Sequence, residues 1–572
     1  MPDYSTVEAT TYDLIVIGGG INGVAVARDG ALRGLKTILI EKSDFGSGTT
    51  SWSSRLVHGG LRYLEYFEFN LVRESLRERE ILLQTAPHLV KPIQMTIPIY
   101  AQGSRSYWEI QAGMALYDLL SYDKSLPNHR MLGGKKMQQL FRAIEPDGCC
   151  GAAQYYDAQV EYAERLCLEI VLSAQDAGAT MLSYVTVTQL QRSGNRISSL
   201  VCRDSETGEA FTVHGHDQTV VINTSGPWVD QVCRSGIQGN APAPVGKTRK
   251  IGGTRGSHII VDKFPGAPDE ALYVEALTDG RPFFILPWLG MCLIGTTDIR
   301  QDGDLDKVHA SNDEIDYLLN ETNRVIPTAQ LTRESVQFTY AGVRPLPYTE
   351  GKKTSSITRS HVLYDHTPEG VENMVSLIGG KLTTHRQVGE EMVDTALKKG
   401  LKKHAALKER LKKQKKPPSH SATRQSPLPG AISTNKAKDF MTTANRDVVA
   451  HLLSLYGART PQVLAIVEEF PELAEPIVTG QPDIKAQIVY SIRAELARTY
   501  VDICRRRTAV SMRGNYGFDA LPVVADVLKH YCGWSEERCD RNLLDYYTFM
   551  RDNCIPDYQL DQYQPPVAVS LA

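Results

Sequence analysis

The sequence predicts an α/β fold joined to an antiparallel β-rich half and followed by a separate helical domain. Three observations carry that reading. Between Leu14 and Glu41 an apolar run, a glycine turn, a helical stretch and a second apolar run follow one another, the order of a βαβ unit. From Gly252 to Asp298, short β-rich runs such as HIIV and MCLIGTTD alternate with Pro and Gly turns, which reads as antiparallel sheet rather than as further βαβ repeats. Beyond Asn445 apolar residues recur at helical spacing, as in IKAQIVYSIRAELARTYVDICRRR, as far as Asn553.

The bulk properties agree with a folded chain of several domains. At about 150 residues per domain, 572 residues imply three to four. Apolar residues make up 42% and charged residues 23%, which excludes a disordered or collagen-like chain. The 63 Lys and Arg against 66 Asp and Glu leave a net charge of −3, so no nucleic-acid partner is expected. The ten cysteines show neither a CxxC pair nor a zinc spacing, which points to reduced thiols, a cytoplasmic compartment and no metal. The first thirteen residues contain no base and no apolar stretch, and no run reaches the roughly 18 apolar residues of a spanning helix. Any membrane contact is therefore expected to be peripheral.

Taken in order, the elements carry chemistry. Gly18, Gly20 and Gly23 form GxGxxG around Asn22, between a strand and a helix, and Glu41 ends the next strand beside Lys42. Such glycines let a backbone approach a pyrophosphate, the helix N-terminus offers amides, and the carboxylate accepts from ribose hydroxyls. On these residues alone the dinucleotide is NAD or FAD. The stretch GSGTTSWSSRLVHGGLRY adds hydroxyls at Thr49, Thr50, Ser51, Ser53 and Ser54, then Arg55, His58, Arg62 and Tyr63, a set suited to phosphate and flavin edges. Val72 to Leu83, with its paired opposite charges, reads as a solvent-facing helix. Two further turns, at Gly226 and at Gly379, Gly380, Leu382 and Thr383, also lead from a strand into a helix. Three such turns suggest one long cofactor touched in several places, which favours FAD. His258, Arg344, Arg359 and Lys381 lie in other β-rich or turn segments, and their charges imply an anionic substrate, most simply a phosphate.

Two segments point to a membrane surface. Ile99 to Leu120 carries Tyr107, Trp108, Ile110, Met114, Leu116 and Tyr117 as an amphipathic candidate. Lys398 to Lys416 holds ten basic residues and one Glu, and Pro417, Pro418, Pro427 and Pro429 follow it, as in a charged linker able to meet anionic headgroups.

The runs DLIVIGGGINGVAVARDGALRGL, SSRLVHGGLRYLE, GPWVDQ, GSHIIV, IGTTD, TYAGVRPLP, SSITRS and GGKLTT occur in the order found in the FAD-dependent glycerol-3-phosphate dehydrogenases, which this chain resembles from Tyr12 to about Val388. RRRTAVSM, from Arg505, resembles their C-terminal domain. The chain departs from the common pattern at His385, where tyrosine is usual, and at NTSGPW, where NATGPW is usual. The resemblance implies the D-amino-acid-oxidase-like flavoprotein fold, with 12–75, 150–230 and 355–398 binding FAD, 76–149 and 231–354 binding substrate, 399–444 as a basic linker and 445–572 as the helical domain. It implies that Gly18, Gly20, Asn22, Gly23, Glu41, Lys42, the Thr49–Ser54 turn, Gly226, Gly380, Leu382 and Thr383 hold FAD. Arg62, Tyr63, His258, Arg344, Arg359 and Lys381 would line the substrate pocket, with His258 as the base and Arg344 and Lys381 acting beside it. The implied reaction is oxidation of sn-glycerol 3-phosphate to dihydroxyacetone phosphate, electrons passing to a membrane quinone from an enzyme on the cytoplasmic face. A homodimer is compatible with this reading. An oxidase that hands electrons to oxygen shares every motif. An amine oxidase would not need the cationic cluster, and a non-enzymatic flavin protein would not keep it.

Overall fold

The computed structural model describes residues 3–235, 248–350, 357–400, 420–432 and 446–564. Its first half is organised by the strand Thr11–Ile17, whose six residues from Tyr12 onward are all buried. An apolar run buried on both faces belongs inside a parallel sheet covered by helices. It pairs in parallel with Thr37–Ile40 on one side and Ala210–Asn223 on the other. The eight-stranded sheet extends to Thr180–Leu182 at one edge and, through Met374–Ile378, to the antiparallel Val362–Asp365 at the other. Helices Ile21–Leu32, Ala163–Asp176 and His385–Lys399 pack on it around an aliphatic core that includes Val24, Leu166 and Val388.

The second sheet has ten strands and begins from a long antiparallel pairing of Val90–Tyr100 with Cys149–Val160. The strand Thr254–Asp262 pairs with both Met291–Gly295 and Val336–Arg344, so that His258 lies opposite Gly295 and Tyr340. The expected antiparallel half is therefore present, but Cys149–Val160 belongs to it rather than to the first sheet, where the boundary at 150 had put most of that strand. Its backbone pairs along one edge with the 90–100 strand and on the other with Arg130–Gly133 and Leu56–Val57.

The helix Phe69–Thr85 corrects a second expectation. It is not solvent-facing: Glu78 and Arg79 are fully buried, Glu78 paired with Arg386 and Arg79 with Asp157. Glu78 and Arg79 make internal pairs, while Arg73 pairs with Asp123 at a partly exposed position, a mixture that sequence spacing cannot distinguish from a solvated face. The linker is also shorter than expected. Within 420–432, Leu428 donates its amide to Thr85, Gly430 donates to Glu169 at 2.6 Å, and Arg28 reaches the carbonyl of Ser426, so this stretch is docked on the first half. The basic run from Leu401 onward lies outside the described residues.

The C-terminal helices, from Arg446–Tyr456 to Glu536–Asn553, cover the second sheet and share one apolar core with it. Three consecutive arginines at a π-helical turn, Asp502–Arg507, fix this domain to the first. Arg505 shares Glu164 with Arg55, at 2.6 and 2.8 Å. Arg506 and Arg507 both bind Asp44, each at 2.6 Å. Burial by itself raises the Glu164 carboxyl, but Arg55 and then Arg505 bring it down to about 2. Removing one member of such a buried set costs about 3–5 kcal/mol, because the remaining charge is left uncompensated.

Candidate active site

The first βα turn is built on missing side chains. Gly18 has φ of +103°, and a Cβ on Gly23 would fall 1.9 Å from the Gly18 carbonyl oxygen, so the helix can start this close to the strand only with glycine there. Gly20 caps the helix and faces Thr50, whose Oγ1 accepts the amide of Ile21 at 3.0 Å. Glu41 accepts the amides of Gly19 and Ser43 at 2.6 and 2.9 Å. Burial raises its pKa against the pull of those two donors.

Gly18, Gly20, Ile21, Glu41 and Ser43 line a cavity of about 790 Å³, in the upper part of the ~300–1,000 Å³ range of ligand pockets. Asn22, Lys42, Thr49, Thr50, Ser53, Gly226, Gly380 and Leu382 line it as well. Four of the expected cofactor residues do not. Ser51 donates to the Gly46 carbonyl at 2.6 Å and closes its own loop, Ser54 bonds His258, and Thr383 accepts the amide of His58. Gly23 acts by letting the helix approach. Lys42 lies 4.4 Å over the Trp228 ring and pairs with Asp306 at 2.5 Å. The residues fit FAD: a glycine cradle at a helix N-terminus, a carboxylate at the end of the second strand, and Asn22, whose buried Oδ1 has no hydrogen-bond partner within the protein.

The cationic residues gather beyond the far turn of this cavity. Asp298 is their hub, with Arg344 at 3.2 Å, Arg359 at 3.4 Å and Arg281 at 3.7 Å. Burial alone raises the Asp298 carboxyl, yet Arg344 and then Arg359 hold it below its ordinary range. Lys381 lines the cavity, donates to Ser75 Oγ at 2.7 Å and sits 4.5 Å over the ring of Tyr63. Burial lowers its ammonium to about 7. Arg281 is also paired with Asp279 at 3.3 Å and Lys381 faces Glu74 and Glu68, so Asp298 is shared chiefly by Arg344 and Arg359. Arg359 keeps a buried Nη1 with no hydrogen-bond partner among the described residues, a donor that an anion would satisfy. Arg62 turns instead towards Tyr66, 3.4 Å from its hydroxyl, and stays at the rim.

His258, the expected base, is not among the residues that line the cavity. Its side chain is buried, stacked on Tyr340 with centroids 4.7 Å apart, and Nε2 is 2.8 Å from Ser54 Oγ. Burial first, then Arg344 and Arg55, keep it neutral well below its usual range. Its Nδ1 is buried with no hydrogen-bond partner among the described residues. His385 is also buried, its Nδ1 against the Leu382 carbonyl at 2.7 Å, so it supports the turn without lining the cavity. Sequence reasoning missed Asp298 and Ser75 as partners, because strand pairing and helix packing bring them in from distant positions. His58, grouped from the sequence with the residues suited to phosphate and flavin edges, is held by burial at about 4, near Asp157 and Lys381.

Residues 13–395 match the family of FAD dependent oxidoreductases, and 421–539 match the C-terminal domain of alpha-glycerophosphate oxidase. The chain is 60% identical to a glycerol-3-phosphate dehydrogenase of Synechocystis sp., across 98% of this chain and 100% of the relative. It is 38% identical to a D-erythritol 1-phosphate dehydrogenase of Brucella abortus, across 88% and 95%. Among solved structures it is similar to the glycerol-3-phosphate dehydrogenase from Bacillus halodurans complexed with FAD, with a TM-score of 0.73 and 25% identity over 99% and 98% of the two chains. The dinucleotide turn, the cationic pocket at its far end and this end-to-end similarity lead to one conclusion: the chain belongs to the FAD-dependent glycerol-3-phosphate dehydrogenase family, and FAD is its cofactor.

Proposed function

We propose that the protein oxidises the secondary alcohol of sn-glycerol 3-phosphate to the ketone of dihydroxyacetone phosphate and passes the electrons to a membrane quinone. The observation that carries this reading is the Arg344–Asp298–Arg359 cluster, whose Arg359 acts electrostatically on Lys381, a cation that lines the cofactor cavity. FAD, when bound, supplies the hydride acceptor. Arg344 and Arg359 orient the phosphate, and Asp298 holds both guanidinium groups in place for it. Lys381 Nζ, poised near neutrality, takes the proton of the C2 hydroxyl, a role that passes to it from His258 because only Lys381 lines the cavity. His258 positions Ser54 and the loop behind it. Anaerobic addition of glycerol 3-phosphate to the holoprotein should bleach the flavin absorption, with glycerol far weaker. Equal bleaching by glycerol, or none by either compound, overturns the substrate assignment. D-erythritol 1-phosphate in the same assay measures how far the pocket admits a longer polyol.

The quinone and the cytoplasmic membrane surface belong to the same proposal. Phe67, Trp108, Leu119 and Tyr122 are between 68% and 78% exposed, and the Glu65–Arg105 pair at 2.8 Å ties the first two segments together near Tyr63. Exposed large apolar side chains, two of them (Trp108 and Leu119) on the helix Tyr107–Leu120, favour an interfacial seat. Met114 and Tyr117 of the amphipathic candidate are instead buried in the core. Among the described residues no helix is long and apolar enough to cross a membrane. Turnover with a soluble quinone analogue should far exceed oxygen consumption. Hydrogen peroxide formed in step with substrate loss, with no gain on adding quinone, transfers the assignment to an oxidase.

A further inference from the structure

The C-terminal helical domain is not confined to the back of the second sheet. Asn542, Asp545, Phe549 and Asn553 all line the 790 Å³ cavity, at spacings of three, four and four residues, which is a single face of the helix Glu536–Asn553. Phe549 stacks at 6.1 Å on Trp52, another lining residue, and Arg505 lies 4.8 Å over the same indole. The same domain grips both ends of the loop that carries the hydroxyl-rich turn, through Asp44 at its start and Arg55, by way of Glu164, at its end. A substrate-domain segment completes this side: Asp306 pairs with Lys42, Lys307 with Asp552 at 3.4 Å and His309 with Asp557 at 3.5 Å.

We propose that the C-terminal domain is a working part of the FAD site, with the helix Glu536–Asn553 as one wall of the cavity and Arg505 to Arg507 as the clamp on the cofactor loop, so that retention of the dinucleotide depends on both domains. The wall and the clamp act differently. The clamp is made of buried charges and sets the shape of the loop, whereas the wall is a face of ordinary side chains that the cofactor meets directly. The exposed pairs across Lys42, Lys307 and His309 are individually weak, which suits a wall that must part when the dinucleotide enters.

The test uses the full-length holoprotein and follows release of FAD by the rise in flavin fluorescence after dilution, with circular dichroism melting of the apoprotein alongside. Phe549→Ala and Asp545→Ala should each speed FAD release by about tenfold, the loss of one aromatic or polar wall contact. The Asp545→Ala apoprotein should melt as before, whereas Phe549→Ala also loses its stack on Trp52 and melts lower. Leu544→Ala, at an exposed position of the same helix, should release FAD at the parent rate. Release rates within twofold of the parent for both wall variants overturn the proposal. So does faster release that appears only together with a lowered melting temperature of the apoprotein, since that is damage to the fold rather than to the wall.

Discussion

The two ends of the cavity recognise their ligands in opposite ways. At the dinucleotide turn the close approach is made by main-chain groups and by side chains that are absent, concentrated in Ile17–Ser53 and two later glycine turns, with Glu41 and the C-terminal wall around them. At the other end Tyr63, Asp298, Arg344, Arg359 and Lys381 come from separate strands and turns and meet only through tertiary pairing, as Lys381 meets Ser75 across 306 positions. Backbone recognition is all-or-none at its glycines, because a methyl group either fits or does not. Side-chain recognition is graded, because each charge contributes a share.

The sharpest way to test that contrast is a pair of glycine variants. Gly23→Ala should abolish FAD binding and destabilise the first βα turn, since the added Cβ would sit 1.9 Å from a carbonyl oxygen. Gly20→Ala should leave the fold intact, because its Cβ meets only Thr50 Oγ1 at 3.6 Å, yet still weaken FAD by crowding the pyrophosphate. Melting curves and FAD titrations separate the two. If Gly20→Ala binds FAD as the parent does, the cofactor does not approach that backbone. Next in size, Arg344→Ala should lower kcat/KM for glycerol 3-phosphate by roughly ten- to a hundredfold, the value of a hydrogen bond to a charged group, with FAD affinity unchanged. A drop in FAD affinity of similar size would break the division between the two ends.

How much of this was legible follows from the same contrast. Gly18, Gly20, Gly23 and Glu41 could be read directly, because a main-chain site needs a fixed local order of residues. The charges at Arg344, Arg359 and Lys381 could be listed, but nothing in their spacing names Asp298 as the carboxylate that holds two of them. The helix Phe69–Thr85 misled for a related reason: Glu78 and Arg79 look like surface charges until Arg386 and Asp157 are folded against them. The lining role of Phe549 and Asn553 was hidden because their helical spacing reads equally well as packing within a helical domain.

Two pH effects and one surface pair complete the series. If Lys381 is the proton acceptor, kcat/KM should climb about tenfold per pH unit below its pKa of about 7 and flatten above it, since the neutral amine is the active form. An unchanged profile in Lys381→Met with activity retained removes that role. Stability should fall more gently as pH drops below about 6.5. His58 and His385, held by burial at about 4, and His258, held lower than its usual range, refuse protons that the unfolded chain accepts, so acid favours unfolding. The melting temperature between pH 7 and 5 checks the sign, and a rise on acidification would contradict it. The smallest effect is expected at Lys42→Ala. Its pair with Asp306 is exposed and worth at most about 1 kcal/mol, so FAD affinity should weaken by no more than about fivefold.

The contact between Asp44 and Arg507 spans 463 positions of the chain. During synthesis at about 5–20 residues per second, the carboxylate leaves the ribosome roughly 20–90 s before its counter-charges exist. Through that interval the nascent N-terminal half carries an anion destined for a dry interior and has nothing to neutralise it. A chain cut short anywhere before Arg505 therefore cannot finish its own first loop. Translation must pass Arg507 before the loop that follows the first glycine motif takes its final shape, and products truncated before that point are left unfinished near their start.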